Sequence, residues 1–82
     1  MLMGKVVGHI VSTRKNQDIV GSKILEVQIV ENGKDTDKFI VAIDSVGAGI
    51  GESVLITTGS GARLALQNPN TPVDAVVVGI ID

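Results

Sequence analysis

The spacing of apolar and polar residues points to strands along most of the chain. Between Ile24 and Val30 the pattern alternates, with Leu25, Val27 and Ile29 on one face and Glu26 and Gln28 on the other, which predicts a half-buried strand. Four further apolar runs predict strands at Gly4 to Thr13, Lys38 to Asp44, Val54 to Thr57 and Asp74 to Ile81. Between the second and third strands, Glu31 to Asp37 reads as an exposed polar hairpin loop with Asn32-Gly33 as its turn signal, and is expected to vary most in length. One short helix is predicted from Ser60, a candidate N-cap, through Ala62, Arg63, Leu64, Ala65 and Leu66, stopped by Asn68-Pro69-Asn70-Thr71-Pro72. A helix this short can plug one end of a barrel but cannot cover a sheet. The expected fold class is therefore all-β: a small, partly open five-stranded barrel of the OB type with one short helix between the last two strands. No internal repeat or linker interrupts residues 1–82, which form one domain.

Two of these strands are apolar on both faces. Phe39-Ile40-Val41-Ala42-Ile43 and Ala75-Val76-Val77-Val78-Gly79-Ile80-Ile81 have no polar side to give to water. In a single-layer barrel only one face of each strand points inward. Leaving about five Val or Ile side chains exposed, at roughly 1.5 to 3 kcal/mol each, would forfeit an amount comparable to the whole stability of a small domain. The pattern alone therefore predicts self-association.

Composition strengthens that expectation. The chain has 13 Val, 10 Ile and 5 Thr among 82 residues, a strand-forming bias. At this length a self-sufficient core is marginal, and with no cysteine and one histidine neither disulfides nor a transition-metal site can supplement it. Oligomerisation is the remaining route. A net charge of −2, with Arg14-Lys15 the only local basic pair, argues against a phosphate-backbone partner, and Phe39 as the sole aromatic cannot build a base-stacking platform. There is no apolar run of transmembrane length and no signal-peptide layout at Met1-Leu2-Met3-Gly4-Lys5, so a cytoplasmic protein without membrane partners is expected.

The most distinctive segment is Asp44-Ser45-Val46-Gly47-Ala48-Gly49-Ile50-Gly51-Glu52-Ser53-Val54-Leu55. Its alternating glycines imply a tight crossing with positive φ or a very close neighbour. It is not a dinucleotide-binding motif, because the third glycine arrives one residue early and a β-branched run follows where a helix should open. Other candidates for chemistry have plainer readings. His9 has no second His or Cys beside it and is expected to be structural or at an interface. Gly59-Ser60-Gly61 lacks the spacing of a nucleophile elbow, and helix capping accounts for Ser60. Arg63, near the start of the helix, is expected to make a structural pairing with a carboxylate such as Asp44 or Asp74 in preference to an anion site. Asp44, Glu52, Asp74 and Asp82 are spread over strand ends and form no evident acid–base pair. No catalytic, cofactor-binding or metal-ligating residue is assigned, and no enzyme is expected.

The chain resembles the vertex proteins of bacterial microcompartment shells, the EutN/CcmL type, throughout its length. The resemblance is carried by Gly4-Lys5-Val6-Val7-Gly8 with Val11-Ser12-Thr13, then Val20-Gly21-Ser22-Lys23-Ile24-Leu25-Glu26-Val27-Gln28, then Val41-Ala42-Ile43-Asp44 running into the glycine loop. It continues through Gly59-Ser60-Gly61-Ala62-Arg63 and Pro72-Val73-Asp74-Ala75-Val76-Val77-Val78-Gly79-Ile80-Ile81-Asp82. Two departures stand out. Ser53 occupies a position where relatives often carry a large aromatic, and Asp82 falls where many relatives continue into a C-terminal tail, so tail-mediated contacts are not expected from these residues.

The resemblance implies a structural β-barrel subunit that forms a cyclic homopentamer and occupies the fivefold vertices of a shell, carboxysome or metabolosome, otherwise built from hexameric shell proteins. By the same resemblance, Gly47, Ala48, Gly49, Gly51 and Glu52 are expected at subunit contacts or at the axial opening, and Arg63 is expected to fix the short helix. The rival reading, which fold alone would permit, is an OB-like binding module for an oligonucleotide or small ligand. The charge and the shortage of aromatics count against it.

Overall fold

The computed structural model describes residues 1–11, 23–66 and 73–82. Within them the chain forms β1 (Leu2–Ile10), β2 (Ile24–Glu31), β3 (Lys34–Asp44), β4 (Ser53–Thr58), α1 (Ser60–Ala65) and β5 (Ala75–Ile81). All five expected strands and the helix form. The Arg14-Lys15 pair, the C-terminal end expected for the first strand at Thr13 and the Asn68 to Pro72 stop lie outside the described residues.

The strands close into a barrel in the order β1-β2-β3-β5-β4, where a partly open one was expected. Closure is made by a short parallel pairing of β3 with β5, Ile43 opposite Val76 and Asp44 opposite Val77, while every other neighbouring pair is antiparallel. The pleat puts Val6, Leu25, Val27, Ile29, Ala42, Val54, Ile56 and Val77 into one interior cluster, as the alternation in β2 predicted.

Between β2 and β3 the expected long polar loop is reduced to a two-residue turn. Asn32 and Gly33 both have positive φ, 53° and 76°, the geometry of the tight hairpin turn whose twist matches paired strands. Residues 34–37 therefore belong to β3. Farther from the turn, β3 carries two extra residues between the pairs Val30–Asp35 and Gln28–Phe39. Thr36 fills the gap: its hydroxyl donates to Ile29 O at 2.7 Å, and its carbonyl accepts from Gln28 Nε2 at 2.7 Å.

The two doubly apolar strands resolve differently. On β5, pairing with β4 steps from Leu55–Gly79 to Ile56–Val77, so Val78 is an extra residue that reverses the inward phase. Val77 and, beyond the bulge, Ile80 therefore both pack against the interior cluster. Val76 faces the other way and is nonetheless fully buried, in a second cluster with Ile24, Ile43 and Ala62. Ala62 belongs to α1, so the helix covers the outer face of the barrel wall instead of plugging an end. The outward residues of β5 thus need less help from a neighbouring subunit than the pattern suggested. On β3 that cluster takes in only Ile43, at the end of the strand, and Phe39 and Val41 stay 51% and 53% exposed.

The start of α1 also corrects the sequence reading. Gly59 takes the N-cap position with φ of 65°, no side-chain cap bond forms, and Ser60 is the first helical residue. The sharp turn from β4 demands a conformation serine reaches only with strain, so glycine replaces the polar cap. Gly59 N donates to Asp74 O at 2.8 Å, which ties the helix start to the approach to β5.

Candidate functional site

The glycine loop leaves β3 at Asp44 and enters β4 at Ser53, bridging two strands that are not neighbours in the barrel. Its first half is organised by Asp44. One carboxylate oxygen, Oδ1, accepts from Val46 N at 3.1 Å and Gly47 N at 3.2 Å, a local turn built on the side chain. The other, Oδ2, lies 3.8 Å from Lys23 Nζ, and the Asp44 side chain is only 3% exposed. Lys23 Nζ also donates to Ala48 O at 2.6 Å. Ser45 ties the loop to β5, its backbone N–H and its hydroxyl both donating to Val77 O, at 3.2 and 2.6 Å.

The second half is a four-residue turn, Gly49 to Glu52, closed by Glu52 N donating to Gly49 O at 3.1 Å. Gly51, third in that turn, has φ of 91°, as a type II turn requires. The Glu52 carboxylate reaches back to accept from Gly49 N at 2.6 Å. Beyond it, Gly51 N donates to Val6 O at 2.8 Å and Val6 N to Glu52 O at 3.0 Å, so the loop extends the β1–β4 pairing. Three strands hold it by their backbones or ends.

The loop side chains sort into two groups. Ala48 is fully buried in the subunit's own interior cluster. Its small side chain fits under the crossing and makes it the loop's internal anchor, so any part it has in the expected subunit contact or axial opening would be through its backbone. Gly47, Gly49, Gly51 and Glu52 remain on the outer side of the crossing, Gly49 half-buried and the others exposed. Between them Val46 and Ile50 are 41% and 63% exposed. These two apolar side chains were not singled out from the sequence, although apolar residues among loop glycines were the available signal: a loop facing only water has no use for them.

The remaining candidates are not gathered into a reactive site. Arg63 donates from Nη1 to Val73 O at 3.5 Å, a long contact between α1 and the approach to β5, and forms no ion pair among the described residues. The expected pairing with Asp44 or Asp74 is absent there because Lys23 occupies Asp44 and Asp74 is exposed. Lys23, which immediately precedes β2, was missed because its partners lie far along the chain. His9 is exposed near the end of β1, opposite Leu25. Asp44 and Glu52 each commit one carboxylate oxygen to loop amides, and among the described residues no group of three His, Cys, Asp or Glu could hold a metal ion. No helix of the described residues is long and apolar enough to cross a membrane.

The site is thus a closed barrel with a firmly stitched crossing loop, on whose outside Val46 and Ile50 of the loop and Phe39 and Val41 of β3 remain exposed apolar side chains. The chain belongs to the EutN/CcmL family: the model of that family, described as ethanolamine utilisation protein EutN/carboxysome, matches residues 1–82. The carboxysome shell vertex protein CcmL of a Nostoc species is 51% identical over 84 residues, covering all of this chain and 83% of the relative. The microcompartment shell vertex protein PduN of Salmonella typhimurium is 42% identical over 87 residues, with 100% and 96% covered. Among solved structures, GrpN, a pentameric microcompartment shell protein from Rhodospirillum rubrum, superposes with a TM-score of 0.91 at 41% identity, covering 100% of this chain and 94% of that one.

Proposed function

We propose that this chain is the vertex subunit of a bacterial microcompartment shell, a structural protein that closes the polyhedron as a homopentamer and has no catalytic role. A sheet of hexagonal tiles is flat, and fivefold positions give it the curvature to close. Subunits that meet head to tail form a closed ring when the rotation between them matches. The observation that carries the reading is the distribution of unsatisfied apolar surface. The barrel and its helix bury Ala75, Val76 and Val77 of β5, residues of both faces, yet leave Phe39 and Val41 on β3 and Val46 and Ile50 on the loop in water. The similarity to shell vertex proteins over the whole chain supports the same conclusion.

In this reading Gly47, Gly49, Gly51 and Glu52 present a close-approach surface to the next subunit or to the fivefold axis, Ala48 holds that surface on the barrel, and Arg63 steadies α1. Hexameric shell proteins are the lateral partners; nucleic acid and membranes are not partners. Native mass spectrometry at micromolar concentration tests assembly: a dominant species of five times 8.5 kDa is expected, and a dominant monomer, dimer or hexamer overturns the reading. Electron microscopy of a deletion strain lacking any second vertex gene tests the role. Elongated, open or leaky shells with enzymes still active in lysate are expected, and shells of normal shape and closure contradict it.

A further inference from the structure

Lys23 holds the glycine loop through both of its ends. Its carbonyl accepts from Asp44 N at 2.9 Å, adding one more bond to the β2–β3 ladder just where β3 gives way to the loop. Its ammonium reaches over the crossing to Ala48 O at 2.6 Å and to the Asp44 carboxylate at 3.8 Å. Asp44 is the most enclosed carboxylate among the ion pairs of the described residues, at 3% side-chain exposure, against 53% for Asp35 and 52% for Glu31. An enclosed carboxylate requires compensation. Two loop amides and one cation supply it, and the same cation fixes the carbonyl of Ala48, the residue whose methyl is buried beneath the loop. The other two ion pairs, Lys5–Asp35 and Lys38–Glu31, are exposed at both partners and touch neither the loop nor the interior.

We infer that Lys23 is the positioning residue for the assembly surface: its charge sets the conformation in which the loop presents Val46, Gly47, Gly49 and Ile50, so assembly depends on a residue that need not itself contact the neighbouring subunit. The inference rests on the reading of the loop as a subunit contact or axial surface. Neutralising Lys23 leaves the barrel ladders untouched but removes a charge-assisted bond to Ala48 O and the counter-charge of Asp44. Bonds of that kind govern about a tenfold or larger population change. The loop then samples other conformations while its barrel stays folded.

The test uses the full chain as Lys23→Met, which keeps the length of the stem, and Lys23→Arg, which keeps the charge. Hydrogen exchange read by NMR is expected to show the amides of Val46, Gly47 and Gly49 exchanging about tenfold faster or more in Lys23→Met, with the amides of Val27 and Ile56 unchanged. Native mass spectrometry should show loss of pentamer at concentrations where the wild type is assembled, and Lys23→Arg should restore both signals. Unchanged loop exchange in Lys23→Met overturns the inference even if the wild type is pentameric. A monomeric wild type instead overturns the assembly reading, and the exchange experiment still decides whether Lys23 holds the loop. Should Lys23→Met lose barrel protection as well, the residue is a general fold determinant and the inference fails; Lys23→Gln, shorter and polar, gives the same contrast if the methionine variant precipitates.

Discussion

The Asn32-Gly33 hairpin and the glycine loop both join strands through residues of positive φ, yet they are held by different forces. At the hairpin, nothing lies within 4 Å of a Cβ built on Gly33, the flanking residues are exposed and charged, and the strands on either side are direct partners. The glycine loop connects strands that are not partners of each other, so no hairpin ladder closes it, and only its last residues join the pairing of β1 with β4. It is held by Asp44, Lys23, Ser45, Glu52 and the buried Ala48, through contacts that reach β2, β5 and the interior. The same backbone requirement is thus met locally in one turn and by tertiary contacts in the other. Only the second turn is tied to the barrel closely enough for a change there to alter the surface that the loop presents.

The widest separation between the two regions is expected from adding one carboxylate to each. Ala48→Asp places a charge without a partner in the interior and should cost about 3–5 kcal/mol, enough to unfold much of a small domain, whereas Asn32→Asp at the hairpin should change stability by about 0.5 kcal/mol or less. Chemical denaturation of both variants compares them directly; similar midpoints would mean that Ala48 is not an interior anchor.

A second comparison concerns bulk. A Cβ at Gly49 would sit 3.3 Å from Glu52 Oε1, so the branched side chain of Gly49→Val crowds the carboxylate that accepts from the Gly49 amide. Size-exclusion chromatography should show assembly or solubility lost for Gly49→Val and retained for Asp35→Ala. Equal elution of the two would reduce the loop to an ordinary surface turn.

Gly51→Ala and Gly33→Ala sharpen the contrast further, because both positions have positive φ and open space around them. Each substitution should cost about 1–2 kcal/mol through the same backbone penalty. Their thermal stabilities as subunits should fall together while pentamer formation falls only for Gly51→Ala. Parallel losses of assembly would erase the distinction between a local turn and an interface loop. The smallest effect is expected at the exposed Lys38–Glu31 pair, where Lys38→Ala should shift stability by less than about 1 kcal/mol and leave assembly unaltered in native mass spectrometry.

Local pattern was sufficient wherever a strand's partner is close along the chain or its phase is unbroken. The alternation of β2 put Leu25, Val27 and Ile29 inside, and Asn32-Gly33 marked a hairpin, although the strands run up to the turn and leave no loop around it. The five strands, the short helix and the distinctive character of the glycine loop were all legible in the sequence. The helix was legible as an element but not in its placement, since Ala62 meets Val76, Ile43 and Ile24 only after the barrel has closed.

What the tertiary structure decided has a common physical origin. The bulge at Val78 exists only relative to β4, so a reading of β5 alone finds two apolar faces and cannot tell that Ile80 has turned inward. The partners of Lys23 lie 21 and 25 residues away in the chain, and Asp44 could be assigned as readily to Arg63 until the fold brought Lys23 over it. Ala48 has a side chain small enough for either side of the loop, and only the space beneath the crossing selects the inside. Periodicity reports the faces of a strand because the pleat is a property of one chain segment, and the sequence by itself therefore determined a β-barrel with more apolar strand surface than one interior can take. Burial, pairing and charge compensation are properties of segments brought together, and only the closed barrel determined which residues anchor its loop and which remain exposed.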